Sequence, residues 1–227
     1  MVVLSLIFLP SNLKTQDQTR NEFWPEIDVY YRLDPTYRLF FLLAPSFSRE
    51  DNYSEGNAGA HIEMGVFPIL RQHAAGTYDI DRFRFVRFRT GIRYAWSLPT
   101  SESTSEEVRG VVEVTPRYSL PFEILTSFRN RLDLRWIEGV FSMRYRARLT
   151  LERDTEIFPG YSIIPYVSGE VFHDSRFKSW SRVRYQFGVT FPIVHMLALE
   201  AYYLRQSDWF SQPARVNALG LVAILYF

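Results

Sequence analysis

The chain has 227 residues, 47% hydrophobic and 17% aromatic, with a net charge of +1 at neutral pH. That length bounds it to one domain, or to a barrel made one domain by closure, and the near-zero charge removes the case for a nucleic-acid partner. Cysteine is absent, which excludes a disulfide framework and a thiolate metal site and is compatible with an oxidising compartment.

In chain order, residues 2–9 come first, an apolar run too short for a spanning helix. It is similar to the apolar region of a secretory signal, although no basic residue precedes it and no small-x-small cleavage site follows clearly. Residues 1–20 are read as a signal remnant or N-terminal segment, and residues 21–227 as a single transmembrane barrel. No later segment approaches a membrane helix, so a membrane reading has to be a barrel reading.

From residue 23 onward the repeating unit is a strand of roughly ten residues followed by a turn signal. The predicted strands are 23–33, 38–48, 59–70, 82–96, 109–120, 124–136, 141–152, 162–173, 182–191, 197–206 and 216–227. The fourth carries Arg82, Arg84, Arg87, Arg89 and Arg93, and slips phase at Val86, where a β-bulge would restore alternation. Arg117 lies on the fifth, Arg129, Arg131 and Arg135 on the sixth, Arg144, Arg146 and Arg148 on the seventh, and Arg182 and Arg184 on the ninth. Apolar or aromatic residues stand between them. Side chains alternate faces along a strand, so each ladder has one cationic face and one greasy face. Acidic residues of the cationic phase are Glu26, Asp28, Glu63, Glu113, Asp133, Glu152, Glu170 and Glu200. Of 26 basic residues only Lys14 and Lys178 are lysine; arginine is favoured where a rigid fork must meet carboxylates or anionic ligands.

The connections alternate in character. Residues 34–37, 121–122 and 192–196 are tight, whereas 49–58, 97–108, 174–181 and 207–215 are longer and polar. Short periplasmic turns and long external loops are the barrel rule. Two connections fit it poorly: 71–81 is long for a turn, and 137–140 is short for a loop. If the last strand runs to a periplasmic Phe227, then Trp24, Trp96, Trp136, Trp180 and Trp209 all fall at the opposite rim, as an interface belt. Eleven strands leave the first and last parallel. The even count of bacterial single-chain barrels predicts about twelve: a further strand lies in residues 1–20, or two parallel strands close the barrel, or one of the eleven strands is misassigned.

Energetics orient the two faces. An arginine facing lipid at mid-depth costs roughly 2–4 kcal/mol, and several would cancel a total stability of about 5–15 kcal/mol. The arginines therefore line the lumen, where Gly65, Gly91, Gly188 and Gly220 on the same face make room. Strands four to seven form a cationic wall, and the opposite wall is mixed or acidic.

Rings of arginine select for anions in pores, so the sequence predicts a narrow outer-membrane diffusion channel preferring small acidic solutes. The alternative is a filled, non-conducting barrel in which the charges pair. A rim hydrolase is the third reading. His61 faces inward two residues from Glu63, His173 ends a strand beside Asp174, and His73 and His195 fall in turns. No nucleophile and base converge at a recognisable spacing, so no enzyme is expected. Metal-ligand spacing and phosphate-cradling glycine loops are absent, so no cofactor or metal is expected. Glu102, Glu106 and Glu107 read as a solvated loop. Expected partners are outer-membrane lipid and lipopolysaccharide, the barrel-assembly machinery through the strand ending in Phe227, and small anionic solutes.

Three segments carry a family resemblance: Arg144-Tyr-Arg-Ala-Arg-Leu-Thr-Leu-Glu152-Arg153, the later Ser168-Gly-Glu-Val-Phe172, and Arg182-Val-Arg-Tyr-Gln-Phe-Gly188, followed by the aromatic C-terminal strand. Through them residues 23–227 resemble an uncharacterised family of bacterial outer-membrane barrels, domain of unknown function 2490. The resemblance implies a barrel fold and outer-membrane location, and no activity. The lumen chemistry is also similar to that of small monomeric channels for acidic oligosaccharides.

Overall fold

The computed structural model describes residues 19–48, 52–66, 85–98, 105–210 and 213–227. Thirteen strands form one sheet. They are β1 (Thr19–Arg32), β2 (Tyr37–Leu43), β3 (Ser46–Phe47), β4 (Ser54–Val66), β5 (Val86–Ser97), β6 (Glu106–Leu120), β7 (Ile124–Ile137), β8 (Val140–Arg153), β9 (Thr155–Phe158), β10 (Tyr161–Asp174), β11 (Ser179–Val194), β12 (Leu197–Asp208) and β13 (Arg215–Tyr226).

Two of these continue a neighbour. β3 resumes β2 after Ala44 and Pro45 and pairs with β1 and β4. β9 resumes β8 after Asp154 and pairs with the start of β10. Eleven staves remain, the eleven legible in the sequence, and each pairs antiparallel with the next.

An odd number of alternating staves leaves the first and last running the same way. The barrel closes accordingly, through a parallel ladder from Thr19↔Arg215 to Tyr30↔Tyr226. Phe227 completes the seam: its amide donates to Tyr30 O at 2.8 Å, and Arg32 N donates to Phe227 O at 2.7 Å. The parity is met by parallel closure, with no twelfth stave among the described residues. Residues 1–18, where the extra strand was expected, lie outside them, and β1 begins two residues before the predicted domain boundary.

Turn chemistry accounts for the short 137–140 connection. Glu138 and Gly139 both have positive φ, 49° and 81°, which is the two-residue hairpin geometry that matches strand twist. At the other end Asp34 Oδ1 accepts from the amides of Thr36 (2.6 Å) and Tyr37 (2.8 Å), closing the β1–β2 turn. The expected bulge at Val86 falls at the edge of the described residues. From Val86 onward β5 pairs with β4 and β6 without a register shift. The long 71–81 connection, with His73, lies outside them.

Burial is inverted relative to a water-soluble domain. Glu63, Arg131, Asp133 and Glu170 are among the most buried side chains, whereas Ile92 and Leu219 are each 62% exposed. The exposed aliphatic and aromatic residues occur on nearly every stave, from Phe23 and Phe41 through Val112, Leu132 and Leu149 to Phe187 and Leu221. An apolar exterior of this extent far exceeds the few hundred Å² tolerated on a soluble monomer. No helix among the described residues is long and apolar enough to cross a membrane, which leaves crossing by strands open.

Candidate functional site in the barrel lumen

Alternation sends the odd-numbered arginines of β5, β6 and β7, and the even-numbered arginines of β8 and β11, to the inside. Arg87, Arg89, Arg93, Arg117, Arg129, Arg131 and Arg135 line an internal cavity of about 890 Å³ together with Arg144, Arg146, Arg148, Arg182 and Arg184. Arg82 and Arg84 lie outside the described residues. Of the predicted acidic partners, Glu113, Glu152 and Glu200 line the same cavity, and Glu63, Asp133 and Glu170 are buried against its arginines. The lining runs from Arg176 and Phe210 near the tryptophan rim to Arg117, Glu152 and Ile224 near the rim that carries the C-terminus.

Four cross-strand rows organise the inner face. In the first, charges mostly alternate along Arg38↔Glu63↔Arg89↔Glu113↔Arg131 and then meet Arg146. Glu63 accepts from both Arg38 and Arg89, with Arg87 3.8 Å away. Arg131 donates to Asp133 at 2.5 Å. Phe40 supports this corner from below, its ring 4.0 Å from the Arg89 guanidinium carbon.

In the second row the balance fails. It runs Arg129↔Arg148↔Glu170↔Arg184↔Gln206. Glu170 accepts from Arg129 at 2.7 Å, Arg148 at 2.8 Å and Arg146 at 3.0 and 3.1 Å, and lies 3.9 Å from Arg184. One carboxylate thus serves four guanidinium groups. Toward the tryptophan rim, β5–β7 carry Arg93↔Arg109↔Arg135, three like charges in register. Arg109 and Arg135 share Glu107. Arg93 donates from Nε to His61 Nε2 at 3.3 Å.

The opposite wall is aromatic and acidic. Across β10–β13 and β1 the inward row alternates large and small: Tyr166↔Gly188↔Tyr202↔Gly220↔Trp24. A Cβ on Gly188 would run into the Tyr166 ring, and one on Gly220 into the Tyr202 ring. These two glycines let tyrosines lie flat across the neighbouring strand. Glu200 accepts from Tyr166, and Glu22, Glu26 and Asp28 of β1 line the cavity beside it. The lumen therefore has a transverse polarity, cationic over β5–β8 and acidic over β12 and β1.

At the tryptophan rim, Asp174 gathers Arg135, Arg144 and Arg176 at 3.0, 3.0 and 2.9 Å. Asp208 accepts from Arg182 at 2.5 Å. Phe177 and Phe210, from two different loops, stack at 4.7 Å and both line the cavity. Sequence reasoning stopped these strands at His173 and Gln206. Extending the phase of Glu170 by two period-two steps and that of Glu200 by four reaches Asp174 and Asp208.

Trp96, Trp136, Trp180 and Trp209 lie at one rim. Trp136, Trp180 and Trp209 are exposed, and Trp96 stacks outside on Tyr94 at 5.5 Å. Trp24 does not join this belt. It is in phase with Glu22 and Glu26, so its ring points inward, donates from Nε1 to Glu22 at 2.5 Å and receives Arg184 over its face at 5.1 Å. His61 faces inward as expected, with Nδ1 unpartnered. His173 packs edge-on against Trp180 at 5.5 Å. Among the described residues no cluster of three or more histidine or acidic side chains is placed to hold a metal.

A family model described as "Protein of unknown function (DUF2490)" matches residues 21–217, nearly the whole barrel. The chain belongs to the DUF2490 family. No curated protein matches it. Among solved structures, this DUF2490 barrel is similar to the β domain of the Bordetella autotransporter BrkA. The identity is 14%, the match covers 85% of this chain and 83% of that one, and the TM-score is 0.49.

Proposed function

We propose that this DUF2490 barrel resides in a bacterial outer membrane and passes small anionic solutes through its lumen, without catalysis. The observation that carries the reading is the excess of guanidinium over carboxylate around Glu170, facing a cavity many times the roughly 30 Å³ a water molecule occupies in the liquid. A surplus of fixed positive charge in a low-dielectric enclosure raises the local concentration of anions. The apolar exterior and the rim of outward tryptophans support placement in lipid.

A second reading, a filled and non-conducting barrel, is favoured by the pairing itself, since most lumen arginines stand within 4 Å of a carboxylate. Solute efflux from liposomes containing the purified protein separates the two. The channel reading expects small carboxylates and phosphates to leave faster than cations of equal size. The filled reading expects no efflux above that of empty liposomes. Replacing Arg144, Arg146 and Arg148 with glutamine lowers the anion preference in an open lumen, but chiefly destabilises a filled one.

A further inference from the structure

We infer that the outer wall of the barrel carries a docking site for the headgroup phosphate of an anionic membrane lipid, centred on Arg205 and Arg215 beside the β1–β13 seam. The inference rests on the outer-membrane placement above and is independent of the channel.

Strand phase turns both arginines outward. Arg205 stands between the buried Leu204 and Gln206, in phase with the exposed Leu199 and Tyr203, and is itself exposed. Arg215 is in phase with the exposed Leu219 and Leu221. Arg205 faces Asn217 across the ladder, and Arg215 lies two residues from Asn217 on the same face. That diagonal spans about 7–8 Å, so two long side chains can reach one phosphate.

The arginines belong to a polar strip. The outward row Tyr185↔Arg205↔Asn217↔Asn21 crosses β11, β12, β13 and β1, and the next row toward the rim is Val183↔Ser207↔Arg215↔Thr19. Tyr203 Oη donates to Asn217 Oδ1 at 3.0 Å, and Asn217 Nδ2 donates to Asn21 Oδ1 at 3.4 Å, which ties the amides together across the seam. Toward the middle of the barrel the following row is Phe187↔Tyr203↔Leu219↔Phe23, four exposed residues with large apolar surfaces. Near the same rim, the outward positions of β5–β8 are mainly apolar or aromatic, among them Ile92, Tyr94, Val108 and Met143.

This order, cationic and polar at the rim and apolar beneath, matches a lipid standing against the wall. Arg205 lies four residues before Trp209, about 13 Å of extended chain, which places its backbone inside the tryptophan rim. An arginine on an apolar outer wall is unfavourable, and more so with depth. Its stem can run along the wall and carry the guanidinium rimward to Arg215.

Charge selects the occupant. None of the outward positions on β1, β11, β12 or β13 is acidic. A second copy docking here about a two-fold axis would set arginine against arginine. A lipid phosphate meets both arginines through charge-assisted hydrogen bonds, and its acyl chains cover the apolar row below.

The test places the full chain in phosphatidylcholine vesicles containing a minority of phosphatidylglycerol, with single-tryptophan variants that retain Trp180, Trp209 or Trp136. Trp180 and Trp209 flank the strip, whereas Trp136 is on β7, separated from β12 by β8, β10 and β11. Quenching by phosphatidylglycerol with brominated chains, relative to brominated phosphatidylcholine, should be greater at Trp180 and Trp209 than at Trp136. Arg205→Gln should lower that excess about fivefold, one arginine's share of the attraction to an anionic lipid surface, and Arg205→Lys should retain it. Arg215→Gln should also lower it, and decides the matter if Arg205→Gln fails to insert. Equal relative quenching at all three tryptophans, or an excess unchanged by both glutamine variants, overturns the site. Self-association abolished by Arg205→Gln, with no local lipid excess, gives the face to a second copy and also overturns it. If brominated phosphatidylcholine quenches none of the three, the membrane placement fails and the site with it. If it quenches all three without a local phosphatidylglycerol excess, the site alone fails.

Discussion

At the scale of single residues, the lumen shows how a buried charge is stabilised by its neighbours, and where that arrangement is overdrawn. Removing one partner of a buried ion pair commonly costs about 3–5 kcal/mol. Glu170 is the partner of four arginines, so Glu170→Gln is expected to lower stability by at least about that amount. Glu200→Gln should cost less, because Glu200 accepts from the neutral phenol of Tyr166. Urea unfolding of the barrel in lipid vesicles measures both. The tryptophans make a second residue-scale prediction. Brominated lipid should quench Trp136, Trp180 and Trp209, and should leave the fluorescence of Trp24 largely intact, as read from single-tryptophan variants. Equal quenching of Trp24 would contradict its inward orientation.

The orientation of Trp24 was legible in the sequence. Its position is in phase with Glu26 and Asp28, residues already assigned to the lumen, and only its nearness to a strand end suggested the belt. The lumen arginines among the described residues were legible for the complementary reason: period-two alternation is local, and lipid energetics fixes its direction. What the sequence did not show is which arginine meets which carboxylate. Glu170 reaches Arg129, 41 positions earlier, only through strand register. Register across non-adjacent staves is a property of the closed barrel.

At the scale of strands, the aromatic and glycine row across β10–β13 and β1 is a fitted device. Gly220→Val should drive a side chain into the Tyr202 ring and cost about 1–3 kcal/mol, as overpacking generally does. Adding Tyr202→Ala should recover part of that loss, giving a coupling that a double-mutant cycle detects. The parallel β1–β13 seam is equally open to test. Phe23 faces Leu219 directly in this register, and the chain contains no other cysteine to compete. Phe23→Cys with Leu219→Cys should cross-link readily on mild oxidation, whereas Phe23→Cys with Leu221→Cys should not. The strands themselves were legible to within a few residues for most staves, because turn signals and alternation coincide. The manner of closure was not, since an even count and an odd count with a parallel seam share the same local pattern.

At the scale of the whole molecule, the polarity is the reverse of a water-soluble domain: charge inside, apolar side chains outside, and a sheet that closes on itself through β1 and β13. The interior is neither uniformly basic nor fully neutralised. It is cationic over β5–β8 and acidic over β12 and β1, and its surplus positive charge gathers around Glu170 and along Arg93, Arg109 and Arg135. Such a lumen should favour anions strongly at low salt and less as screening shortens the Debye length, which is about 10 Å at 0.1 M. The most direct test is the reversal potential of the purified barrel in a planar lipid bilayer under a potassium chloride gradient. The channel proposed for this lumen predicts resolvable current whose reversal potential lies toward that of chloride, with the preference declining as salt rises. The absence of current, or a reversal potential toward potassium, would contradict it.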